Sequence, residues 1–224
     1  LTNSTSREKK IIFHPKLLPS VVICDPNLTL SMPQNITAGT GLDALAHCVE
    51  AYCSPSFHPM SHGIALEGIK LIKENLVKVY LDGSDLNARS RMMCAALMGA
   101  VAFQKGLGAV HALSHPIGGI YNTHHGTTNA VCMPAVLQFN KSSVNEKLAS
   151  AANYLNIGGG FEGFCDFVNK LNASLGIPKS LTELGIKNMD IERVVDGAIS
   201  DPSAGGNPIK LTRENTRELL LSCC

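Results

Sequence analysis

The chain is 224 residues long, with 19 Lys+Arg against 18 Asp+Glu (net +1), 45% hydrophobic residues, 20 Gly, 11 Pro, 8 Cys and no Trp. That length suits one large domain or two small ones and can bury a real core. The balanced charge, with no Lys/Arg cluster, argues against a nucleic-acid partner; the apolar fraction argues against disorder, and the lack of any uninterrupted apolar run of about 18–20 residues argues against a membrane span.

The opening residues, Leu1 to Lys10, carry neither an initiator Met nor the apolar core of a signal peptide, so the chain reads as part of a longer protein. Val21-Val22-Ile23-Cys24 is a short apolar run of strand type closed by Asp25-Pro26. From about Thr40 onward helical periodicity dominates. Ser61 to Tyr80 places Ile64, Leu66, Ile69, Leu71, Ile72, Leu76 and Val79 on one broad face. Asp85 to Lys105 is a second long helix with Asp85 as N-cap, and shorter helices are expected near 111–120, 127–139, 144–155, 161–175, 189–199 and 213–222. The expectation is a mainly α protein: an all-helical domain over 34–224, preceded by a strand-and-loop segment over 1–33. Nothing repeats at a period of about 20–50 residues. Six of the eight cysteines sit in apolar runs without C-x-x-C spacing, as reduced thiols in a reducing, cytoplasmic compartment do. Cys223-Cys224 is expected to be frayed.

Four of the eight histidines fall within fifteen residues: His111, His115, His124 and His125. Asp43/His47 and His111/His115 have i, i+4 spacing, which stacks two side chains on one helix face. A carboxylate and an imidazole so placed can grip a divalent cation; a second helix can add His111, and a loop after Asn122-Thr123 can return His125. Mixed oxygen and nitrogen donors without thiolate suit Fe²⁺, Zn²⁺, Mn²⁺, Co²⁺ or Ni²⁺ rather than Mg²⁺ or Ca²⁺. The same spacing also describes an ion pair on a solvated helix face, and spacing alone leaves both open.

Residues 41–50 (GLDALAHCVE), 106–118 (GLGAVHALSHPIG) and 125–130 (HGTTNA) resemble the iron-containing (group III) alcohol dehydrogenases, whose pattern is G-x-D-A-x-x-H-x-x-E, then G-x-x-H-x-x-x-H-x-x-G, then H-G-x-x-N-A fourteen residues after the first His of the second motif. The likeness extends to Leu18-Pro19 through Met32-Pro33 and to Asp201-Pro202 through Asn207-Pro208. It implies the helical metal-binding domain of the dehydroquinate synthase-like/iron alcohol dehydrogenase fold, with residues 1–33 as the edge of an N-terminal α/β cofactor domain. By position, Asp43, His47, His111 and His125 look like the metal ligands. His115 is similar to the family's non-ligand histidine beside nicotinamide and substrate, and Lys9 (or Lys10) and Leu28 match cofactor contacts. His124 stands where many members have Pro, and could compete with His125.

The implied activity is nicotinamide-dependent interconversion of alcohols with aldehydes or ketones. A divalent metal, Fe²⁺ before Zn²⁺, acts as Lewis acid and NAD or NADP as hydride carrier. The partners implied are a small alcohol or aldehyde and a second copy of the chain in a homodimer. Glycerol dehydrogenase-like, maleylacetate reductase-like and hydroxyacid–oxoacid transhydrogenase-like members share this scaffold; a dehydroquinate synthase-like role would want a basic cluster near 111–125 that is lacking. A non-catalytic metal-binding helical module is the alternative of another class.

Gly158-Gly159-Gly160-Phe161-Glu162-Gly163 has the form G-x-G-x-x-G, yet it follows a helix rather than a strand and reads as a surface loop. The Gly-rich cofactor turn is thus not in this sequence, and the isolated 224 residues are expected to bind metal with little or no turnover. Met92, Met93, Met98 and Phe103 read as core residues. His58 and His62 read as surface residues separated by the helix-breaking Pro59, and residues 201–208 as a turn.

Overall fold

Five of the α-helices among the described residues start on a capping side chain. The computed structural model describes residues 3, 5, 9, 12 and 14–224, and among them are eight α-helices: α1 (Gln34–Cys53), α2 (Pro59–Leu81), α3 (Leu86–Ala102), α4 (Ala109–Tyr121), α5 (His125–Tyr154), α6 (Gly160–Ser174), α7 (Ile191–Ser200) and α8 (Arg213–Ser222). Asp85 Oδ1 accepts the Ala88 amide at 2.9 Å, Asp190 Oδ1 accepts that of Arg193 at 3.1 Å, and Thr212 and Asn215 form a reciprocal capping box. Pro59 opens α2 rather than interrupting it: it occupies the first helical turn, where its missing N–H costs nothing, and His58 Nδ1 caps the Ser61 amide at 3.1 Å.

Helix α1 is the centre of the bundle, packed by α2, α3 and α5. From Thr37 to Cys53 it is buried on every side except at Thr40, Asp43 and His47. A helix apolar nearly all round belongs in a core, so one narrow polar stripe on it marks where the molecule opens. Helix α5 crosses α1 where Gly126 meets Gly39; a methyl group on Gly126 would overlap the Gly39 carbonyl. Helices α4, α7 and α8 pack in turn along the chain's second half, with Gly197 of α7 seated on Pro116 of α4.

The two helices expected over 127–139 and 144–155 are one 30-residue helix, α5, with Pro134 inside it. Proline deprives the Ala130 carbonyl, four residues back, of its helical donor; Asn172 Nδ2 of α6 supplies a replacement at 2.8 Å. Farther along, Asn140 is held by a reciprocal amide pair with Asn207, 2.9 Å in each direction. The stretch between the two expected helices is therefore tied down by tertiary contacts.

The strand expected at Val21–Cys24 is not formed. That segment lies in no ladder, and Val21, Val22 and Ile23 are 75%, 63% and 86% exposed. A strand needs a hydrogen-bonding neighbour, and none of the described residues provides one. Cys223 is not frayed either: it is buried, and its carbonyl accepts the Leu181 amide at 2.8 Å. All eight cysteines are free thiols. Among the described residues no single helix is long and apolar enough to cross a membrane.

Candidate metal centre

The open stripe of α1 carries Asp43 and His47 one turn apart, and α4 and α5 bring their histidines to it. Asp43 Oδ1 lies 3.7 Å from His47 Nε2, 3.5 Å from His111 Nε2 and 3.5 Å from His125 Nε2. Asp43, His47 and His111 each offer a donor atom within 4.8 Å of the other two, and His125 joins them through Asp43. The imidazoles of His47 and His111 stack, with centroids 4.7 Å apart. Metal bonds of about 2.0–2.2 Å in a tetrahedral arrangement separate ligand atoms by roughly 3.3–3.6 Å, close to the carboxylate–imidazole spacings here. One oxygen and three nitrogens form a donor set suited to a borderline divalent cation.

Glu50, Gly108, Asn129 and Phe103 surround these side chains. Glu50, on the buried side of α1, uses both carboxylate oxygens on α4: Oε1 accepts the Val110 amide at 2.6 Å and Oε2 takes His111 Nδ1 at 2.7 Å. An ionised carboxylate can only accept, so His111 Nδ1 carries the hydrogen and Nε2 faces Asp43. Gly108 makes this possible, because a Cβ there would stand 2.9 Å from Glu50 Oε1. Asn129, one turn along α5 from His125, donates from Nδ2 to Asp43 Oδ1 at 2.6 Å. Phe103 walls the site, its ring 5.0 Å from that of His47 and half-buried.

The electrostatics separate the histidines. Burial works to lower His111, but hydrogen bonds to Asp43 and Glu50 outweigh it and hold its pKa at about 9. Burial pushes His125 down to about 3, with Lys9, His111 and His115 adding and Asp43 opposing. Burial also lowers His47. Asp43, although burial raises it, is held well below the usual carboxylate range by the His111 hydrogen bond and the surrounding imidazoles.

His115 sits beside this cluster, stacked on His125 with centroids 5.3 Å apart. Its Nδ1 is 2.8 Å from Asp201 Oδ2, while Asp201 Oδ1 caps the Ser203 amide at 2.8 Å. Residues 201–208 are thus more than a turn: Asp201 clamps His115, and Asn207 Oδ1 accepts the Ala109 amide at the start of α4 at 3.0 Å. Lys9 is half-buried near Gly118, its pKa lowered by burial against the pull of Asp43 and Asp201. Lys10 lies outside the described residues. Leu28, in a 3-10 turn over Pro26–Thr29, is 80% exposed and away from the cluster's contacts. His124 caps α5, its Nδ1 accepting the Thr127 amide at 3.3 Å. Glu50, Asn129 and Asp201 were given no role from sequence. The first two lie in the motifs quoted above, but their partners are 61 and 86 residues away in the chain.

Residues 37–224 match the C-terminal region of the Fe-containing alcohol dehydrogenase family. The chain belongs to the iron-containing alcohol dehydrogenase family. It is 39% identical over 222 residues to a 4-hydroxybutyrate dehydrogenase of Cupriavidus necator, a match covering 95% of this chain and 58% of that protein. The crystal structure of a 1,3-propanediol oxidoreductase superposes with a TM-score of 0.88 at 35% identity, over 92% of this chain and 56% of that one. A sulfoacetaldehyde reductase from Bifidobacterium kashiwanohense, solved in complex with NAD⁺, superposes at 0.89 with 25% identity, over 100% and 59%. The chain therefore spans somewhat over half the length of the iron-containing dehydrogenases it matches, and its helical architecture is that of their C-terminal domain.

Proposed function

We propose that this chain is the metal-bearing half of a cytoplasmic NAD(P)-dependent dehydrogenase that interconverts a small alcohol with its aldehyde or ketone. The carrying observation is the set of Asp43, His47, His111 and His125 donor atoms around Asp43 Oδ1. These four residues would hold a divalent cation, Fe²⁺ first and Zn²⁺ second. Such an ion supplies Lewis acidity toward an alcohol or carbonyl oxygen. Glu50 keeps His111 in the tautomer that presents Nε2. Asp201, as acceptor at Nδ1, leaves His115 Nε2 to take and release the alcohol proton. Phe103 and the stacked imidazoles wall the site on one side against water.

The nicotinamide comes to this site from the remainder of the protein, with Lys9, Leu28 and His115 as contacts from this side. Residues 1–33 form the edge of that cofactor domain and 34–224 the helical domain; the exposed run Val21–Ile23 and Leu28 is the surface that would pack there. Reduced thiols throughout support the cytoplasmic placement.

Metal content and turnover of the purified chain test this together. One Fe²⁺ or Zn²⁺ per chain is expected, bound far more weakly in Asp43→Ala, with aldehyde-dependent oxidation of NADH or NADPH near background. An unmetallated chain would remove the assignment. Robust turnover by the 224 residues alone would refute the division of labour between the two halves.

A further inference from the structure

We propose that Asn129 is a positioning residue of the metal centre, aiming the Asp43 carboxylate at the cation; this rests on the metal reading above. Asn129 is wholly buried, yet it is a poor packing residue, because its Oδ1 has no hydrogen-bond partner among the described residues. An orphaned buried carbonyl is destabilising, so the contribution of this side chain is concentrated on Nδ2. That nitrogen is 2.6 Å from Asp43 Oδ1, 3.2 Å from His125 Nε2 and 3.3 Å from His111 Nε2. It therefore meets three of the four donor atoms from one point.

An amide nitrogen has two protons, and His111 Nε2, whose own hydrogen is directed at Asp43, accepts neither. The short contact to the charged carboxylate is the strongest, which leaves the second proton for the His125 lone pair. A cation held here would take the imidazole nitrogens, and the bond from Asn129 to Asp43 would then be the contact that orients the carboxylate. The amide thus fixes the carboxylate's rotation. His125 and Asn129 are one turn apart on α5, so the helix that supplies one donor also orients another, which belongs to α1.

The test compares wild type with Asn129→Leu, which keeps the volume and removes the donor, and with Asn129→Ala as a second variant that adds no bulk. Zn²⁺ affinity is read by competition with a chromophoric chelator, and Co²⁺ loading by its visible ligand-field bands. Thermal scans of the metal-free proteins confirm that each is folded. Both variants are expected to bind Zn²⁺ about 10–100-fold more weakly and to show shifted, altered Co²⁺ bands, because the released carboxylate changes its mode of binding. In an Asp43→Ala background the same substitutions should cost nothing further, since Asn129 acts through Asp43. Unchanged affinity with superimposable Co²⁺ bands, or full additivity with Asp43→Ala, would overturn the proposal while leaving the metal site intact. Failure of the wild type to take up any ion would instead overturn the metal reading itself.

Discussion

At the residue scale, Glu50 does two jobs with one carboxylate. It neutralises the amide-rich start of α4, where a negative charge is favoured, and it sets which nitrogen of His111 is free. Glutamine has the same size but offers only one acceptor oxygen, so Glu50→Gln must give up one of the two bonds or bring an N–H against a donor. Zn²⁺ affinity is expected to fall about 10–100-fold, measured by chelator competition; affinity equal to wild type would show that the His111 tautomer is set by something else. The residue type was visible in sequence, three positions after His47. Its task was not, because it faces away from the ligand stripe and acts on a helix that begins 59 residues later.

At the element scale, the site depends on how closely α1 and α5 approach. Gly39 and Gly126 allow backbone-to-backbone contact at the crossing, and Asp43 and His125 lie within one turn of it. Gly126→Ala drives a methyl group into the Gly39 carbonyl and the Asp43 side chain, so the helices must part. Overpacking of this kind costs about 1–3 kcal/mol. A lower thermal midpoint is expected together with weaker Zn²⁺ binding, whereas a stability loss with undiminished affinity would mean that the crossing does not position the donors. Periodicity could place helices on either side of this crossing. It could not show that 127–139 and 144–155 are one element, since Asn172 and Asn207, which sustain α5 past Pro134 and Asn140, are remote in sequence.

At the scale of the whole molecule, the two imidazoles with opposite shifts give the metal-free chain a stability maximum. Both titrate at about 6.5 when unfolded. His125 is about 3 when folded, so below about 6.5 the unfolded chain binds the extra proton and stability falls as pH drops. His111 is about 9 when folded, so above about 6.5 the folded chain keeps a proton the unfolded chain has released, and stability falls as pH rises. Thermal scans with chelator present should therefore show a midpoint that declines as pH drops below about 6.5 and also as it rises from about 6.5 to about 7.5, before the buried Lys105, lowered to about 8, begins to oppose the trend. A midpoint that rises from about pH 6.5 to about 7.5 would contradict the hydrogen bonds assigned to His111.

Sequence by itself determined the class of fold and offered the candidate donors, one carboxylate and three imidazoles, with Asp43 and His47 at helical spacing, inside motifs whose family likeness is confirmed over residues 37–224. These are local properties, set by residue type and by separations of a few positions along one helix. Tertiary structure decided that Val21–Cys24 forms no strand, that α5 runs unbroken, and that Glu50, Asn129 and Asp201 reach the histidines. Each of these depends on atoms brought together across the fold. A strand without a neighbour, a proline's orphaned carbonyl and a histidine's free nitrogen are all settled by the partner that packing supplies or withholds.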